Sequence, residues 1–119
     1  MTRQEYNDYI EALKDHGYKL GGSWGGSWYD NPYYYKTIEY REDEDGNRRA
    51  VCKLLFYLFE QEDNRSGYVY YSIEPAVMVS RNTDEEQCLT IIRPKTSIEE
   101  YEYVAKEFLR WVDVNIDIK

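Results

Sequence analysis

Apolar and polar positions along this chain follow two periods in turn. Near the start, Tyr6, Tyr9, Ile10 and Leu13 fall at i, i+3, i+4 and i+7, one face of a helix. Thr2-Arg3-Gln4-Glu5 ahead of them reads as a capping box, a hydroxyl and a carboxylate that each accept from a first-turn N–H. His16-Gly17 closes the segment with a residue that tolerates a left-handed backbone, so the pattern predicts a helix over 2–16. At the other end, Tyr101, Val104, Ala105, Phe108, Leu109 and Val112 form a second apolar stripe behind the capping box Ser97-Ile98-Glu99-Glu100. Glu102 and Lys106 make a supporting i,i+4 pair, and the spacing predicts a helix over 97–114.

Between these helices the period shortens to that of strands. Tyr33 to Arg41 is rich in Tyr, Ile and Thr, and Asp43-Glu44-Asp45-Gly46-Asn47 after it carries the Asp-Gly hairpin signal. Ala50 to Glu60 contains Leu54-Leu55-Phe56-Tyr57-Leu58-Phe59, an unbroken apolar run that predicts a central strand covered on both faces. Asp63 to Gly67 turns again, and a third strand runs from Tyr68 to about Val79, where Pro75 predicts a bulge or break. Asn82 to Glu86 is the last turn, and Gln87 to Arg93 is a short fourth strand ended by Pro94. The remaining segment, 17–32, holds five of the seven glycines and the tandem Gly21-Gly22-Ser23-Trp24 and Gly25-Gly26-Ser27-Trp28, and is expected to be a Gly/Trp-rich loop.

The order is helix, four strands, helix. It predicts a single α+β domain, α-β-β-β-β-α, in which an antiparallel meander carries both amphipathic helices on one face. A length of 119 residues suits one such domain. Mean hydropathy of −0.83 argues for disorder, but that scale counts tyrosine as polar, and fourteen tyrosines supply apolar area for a core. No apolar run approaches the roughly 18–20 residues of a membrane span, and the start MTRQEYNDYI is not a signal peptide. The expected address is cytoplasmic, away from membranes.

Charge adds a surface to this plan. Fifteen Lys and Arg against 23 Asp and Glu leave a net charge of −8, which disfavours direct binding to nucleic acid or to anionic lipid. In a meander the first and third turns lie at the same end of the sheet. Glu42, Asp43, Glu44 and Asp45 therefore meet Asp84, Glu85 and Glu86 across roughly 10–15 Å. That separation is close to the Debye length of about 8–10 Å at physiological salt, so the fields partly add. Arg48, Arg49 and Arg81 offset some of this charge. Acidic turns are ordinary solvated features, and the sharper expectation is a docking face for a basic protein surface. Carboxylates spaced along an edge imitate a row of phosphates, which directs attention to a partner whose natural ligand is nucleic acid.

Aromatics supply the anchors for such a contact. Tyr33, Tyr34 and Tyr35 alternate across the first strand, as do Tyr68, Tyr70 and Tyr71 across the third. Two helices cover one face of the sheet, so the other exposes aromatics unless Trp24 or Trp28 folds back over it. Trp24, Trp28, Tyr33 and Tyr35 are the expected anchors, with the acidic residues steering.

Catalytic chemistry finds little footing. His16 is the one histidine, placed to bond terminal carbonyls. Cys52 and Cys88 are expected to be buried thiols rather than a disulfide or a metal pair, and no signature beside either makes it a nucleophile. Glu39, Glu60 and Glu74 lie on or near strands without a defined pairing. The glycine-rich segment lacks the Gly-Lys-Ser/Thr ending of a phosphate loop. Placing Gly46 sixth in a calcium loop puts Arg41 first and Cys52 twelfth, which fails. Asn64-Arg65-Ser66 matches a glycosylation sequon by chance. The expectation is a non-enzymatic protein without metal or cofactor, an inhibitor, immunity or anti-defence protein that occupies a partner's basic surface. The alternatives are a small-ligand or carbohydrate-binding module using the tryptophan loop and tyrosine-rich face, or a structural homodimer burying the open sheet face.

Overall fold

The elements follow one another as α1 (Arg3–Asp15), β1 (Lys19–Gly21), β2 (Tyr33–Glu42), β3 (Arg48–Glu62), β4 (Val69–Asn82), β5 (Glu85–Thr90) and α2 (Ile98–Asn115). The structure, a computed structural model, describes residues 1–22, 32–82, 85–90 and 97–115, with 81, 82 and 85–90 described as backbone. One sheet holds all the strands in the order β1-β2-β3-β4-β5, an open antiparallel meander between two helices. The α+β class and the meander agree with the sequence pattern, and β3 occupies the central place its apolar run requires. Packing divides the chain into two compact units, Met1–Tyr35 with Phe56–Glu74 and Lys36–Leu55 with Pro75–Lys119.

In the first unit, α1 begins as the capping box demands. The Glu5 N–H donates to Thr2 Oγ1 at 3.1 Å and the Thr2 N–H donates to Glu5 Oε1 at 3.1 Å. The helix ends in a Schellman pattern: the Gly17 N–H donates to the Lys14 carbonyl and the Tyr18 N–H to the Leu13 carbonyl, both at 3.0 Å, with Gly17 at φ +87°. His16 caps the same end, its Nδ1–H donating to the Ala12 carbonyl at 2.8 Å. The buried face of α1 carries Tyr6 and Leu13. Phe56, fully buried on β3, receives the rings of Tyr9 and Tyr18 at 5.8 and 5.4 Å, and Tyr6 packs on Tyr71 of β4 at 5.0 Å.

One part of the Gly/Trp-rich segment is not a loop. Lys19–Gly21 pairs antiparallel with Tyr33–Tyr35, each residue opposite one of the tyrosines. A Cβ on Gly21 would lie 2.9 Å from the Tyr33 ring and 3.1 Å from that of Tyr35, so the glycine leaves room for the rings to lie across the strand. Trp24 and Trp28 lie outside the described residues.

The second unit is built on the apolar stripe of α2. Ala105 and Val112 are fully buried, as are Cys52, Leu54, Val77 and Val79 of the strands. Ser97 caps the helix, its Oγ accepting from the Glu100 N–H at 3.2 Å. β4 runs unbroken through Pro75, so the strand does not break there. Among the described residues, pairing with β5 begins at Ala76, opposite Thr90. The described pairing of β4 with β5 shifts register between Ser80 and Asn82.

Two buried acids bind their protons more tightly than usual. Burial pushes the Cys52 thiol up to about 12, with Glu39 adding to the effect, and pushes the Tyr6 phenol up to about 12, with Glu60 adding to it. Above the ordinary values of 9.0 and 10.0 the unfolded chain binds fewer protons than the folded one, so stability falls as pH rises. Below about pH 9 both contributions are fully present; stability then falls toward about pH 12, first through Cys52 and above about pH 10 through Tyr6 as well. Urea midpoints measured between about pH 8 and 11.5 should decline accordingly, and the Cys52→Ala variant should decline less steeply. A flat profile contradicts the burial of both groups.

Candidate partner-binding site

The acidic residues of the second unit sit where the strand order puts them. The β2–β3 turn and the β4–β5 junction fall at one end of the meander. Arg49, two residues past the first turn, ties this end together: its Nη2 donates to the Ser80 carbonyl at 3.0 Å, and Ser80 pairs with Glu86 across β4 and β5. Glu85 and Glu86 are strand residues opposite Asn82 and Ser80, not turn residues as expected, because only 83 and 84 separate β4 from β5. Asp84 lies outside the described residues.

The turn that carries Glu42 to Asp45 is held by one of its own carboxylates. Asp43 Oδ1 accepts from the Asp45 N–H at 3.0 Å and the Asn47 N–H at 2.8 Å, and Gly46 takes φ +80°. Asp43 is therefore the structural acid of the group. Among the described residues, the exposed carboxylates of Glu42, Glu44 and Asp45 make no ion pair.

Nearby cations are engaged elsewhere. Arg41 forms a bidentate bridge to Asp113, Nη1 to Oδ1 at 3.1 Å and Nη2 to Oδ2 at 2.8 Å, while its Nε donates to Glu39 at 2.9 Å. These carboxylates hold the Arg41 guanidinium above its already high ordinary pKa, the hydrogen bonds to Asp113 being the largest cause. Arg48 lies over the Tyr40 ring, 4.0 Å from its centroid. Arg41, Arg48 and Arg49 are thus engaged by these contacts, and the side chain of Arg81 lies outside the described residues.

A second pairing fixes the run of α2. Lys36 Nζ meets Glu102 Oε1 at 3.2 Å and Arg41 meets Asp113, so α2 travels alongside β2 and its C-terminal turn arrives at the acidic end. That last turn carries no basic residue, and the helix dipole adds partial negative charge there. Asp113 is a site residue that periodicity did not reveal, since it lies 72 positions from Arg41.

The expected aromatic anchors fare differently. Tyr33 and Tyr35 are half-buried in the first unit, packed on each other at 6.0 Å and 61°, with Tyr57 at 5.4 Å and 58° from Tyr33. Exposed rings lie elsewhere: Tyr68 and Tyr70, T-shaped at 4.8 Å in the first unit, and Tyr40, Tyr103 and Trp111 in the second. Trp111 is 53% exposed and stacked on Phe108. Its signal in the sequence is its position off the buried stripe of α2.

No family model matches the chain, and no curated protein or solved structure matches it. No described helix is long and apolar enough to cross a membrane, and no group of three or more potential metal ligands occurs among the described residues.

Proposed function

We propose that this chain is a non-enzymatic, cytoplasmic protein-binding domain that presents its acidic end to a basic surface of a protein partner. The observation that carries the reading is the juxtaposition of the Glu42–Asp45 turn with the start of β5, joined through the Arg49–Ser80 hydrogen bond. Exposed carboxylates on this hairpin end generate a directional field, and such a field raises encounter rates with a positively charged partner. Carboxylates along a sheet end can imitate a row of phosphates, so the preferred target is a nucleic-acid-binding surface. Occupying that surface would make the chain an inhibitor, an immunity protein or an anti-defence protein.

Competition tests this reading. A partner captured on the immobilised chain should be displaced by short duplex DNA at low salt, because both ligands would claim one basic surface. A partner held equally well with and without DNA overturns the nucleic-acid-mimic reading.

A further inference from the structure

α2 has two apolar faces, and among the described residues the second is exposed. Ile98, Tyr101, Ala105, Leu109 and Val112 are buried. Tyr103, Trp111 and Val114, on the opposite side of the helix, are 64%, 53% and 59% exposed. At 3.6 residues per turn they share an arc of about 140° with Lys106, Glu107 and Arg110. Tyr103 to Val114 spans about 16 Å of helix axis, three turns. Glu107 and Arg110 form an exposed i,i+3 pair at 3.1 Å. An apolar patch interleaved with both charge signs does not match a basic partner. It matches itself.

We propose that a second copy of this chain docks here, α2 against α2 in antiparallel orientation about a two-fold axis passing between Phe108 and Leu109. That operation places Tyr103 opposite the partner's Val114 and Glu107 opposite the partner's Arg110, and each contact occurs twice. Both pairings are chemically complementary: an aromatic ring on a branched aliphatic, and a carboxylate on a guanidinium. A parallel arrangement instead sets Glu107 beside Glu107 and Arg110 beside Arg110. The isologous antiparallel pair is therefore selected by charge as well as by shape. One helix pair buries well under the roughly 1,600 Å² of a standard interface, so the dimer is weak and concentration-dependent. Two chains of charge −8 also repel, and salt screens that repulsion, so dimerisation strengthens with salt. Association with a basic partner at the acidic end has the opposite salt dependence, which keeps the two proposals separable.

Sedimentation equilibrium of the full chain from about 10 μM to about 1 mM should show a mass rising above 14.4 kDa, and more steeply at high salt. Glu107→Arg and Arg110→Glu each set like charges opposite one another and should weaken the dimer by roughly tenfold or more. Combining the two substitutions exchanges the charges and should restore it, while Trp111→Ala should weaken it with an unchanged circular dichroism spectrum. A chain that stays monomeric throughout overturns the proposal, as does a dimer that the single reversals leave intact or that the double reversal fails to rescue.

Discussion

Replacing Phe56 by alanine is expected to destabilise the protein by about 3–5 kcal/mol, the cost of removing a fully buried aromatic and leaving a cavity. Phe56 has no exposed surface and receives the Tyr9 ring from α1 and the Tyr18 ring from just beyond it. Both tyrosines reach Phe56 from backbone that is itself fixed, one by the helix and the other by the Schellman turn at Gly17. The site has little freedom to collapse around the lost ring, which sets the cost toward the upper part of that range. Typical domains are stable by about 5–15 kcal/mol, so the variant should stand close to unfolding at ambient temperature. Its melting point should fall by roughly 10–20 °C, whereas Tyr68→Ala, at an exposed ring, should stay within about 0.5 kcal/mol of the parent. Thermal and urea melts of the two variants check the contrast. Equal small losses would show that Phe56 is not the centre of the first unit's core.

Reversing Glu42, Glu44 and Asp45 to lysine is expected to slow association with a basic partner by at least about tenfold at low salt, while dissociation changes little. Asp43 is left in place because its carboxylate holds the backbone of the turn, and replacing it would confound charge with conformation. The triple reversal moves the net charge from −8 to −2. A companion variant with Asp15, Glu62 and Glu74 reversed carries the same net charge on exposed sites of the first unit. If position matters, the companion should retain most of the parent's association rate. Equal slowing in both variants assigns the effect to overall charge rather than to the hairpin end.

Helices and centre of the sheet were legible in the sequence because each announces itself locally. A capping box, a 3.6-residue stripe and an unbroken apolar run are read without knowing any distant contact. β1 was hidden for the opposite reason. Three residues are too few to show a period, and Gly21 is a strand residue only because the Tyr33 and Tyr35 rings occupy the space of its side chain. Glu85 and Glu86 read as turn residues since acids favour turns, yet they pair with Asn82 and Ser80 once the strands extend to the bend.

The candidate site divides in the same way. Its acidic composition was legible, and the meander placed both acidic segments at one end. What was not legible is which carboxylates are already committed. Asp43 spends its oxygens on its own turn, and Asp113 arrives from another element to take Arg41 away from its neighbours. Trp111 was read as part of a helix, and its exposure depended on which stripe of α2 turned inward.

The most direct measurement is the association rate constant of the unmodified chain with a captured basic partner between roughly 0.1 M and 1 M NaCl, where the Debye length shrinks from about 10 Å to about 3 Å. Steering by the acidic end predicts a rate that falls steeply over this range and meets the rate of the Glu42/Glu44/Asp45 reversal at high salt. A rate that does not change with salt, or that falls in parallel for parent and reversal, contradicts it.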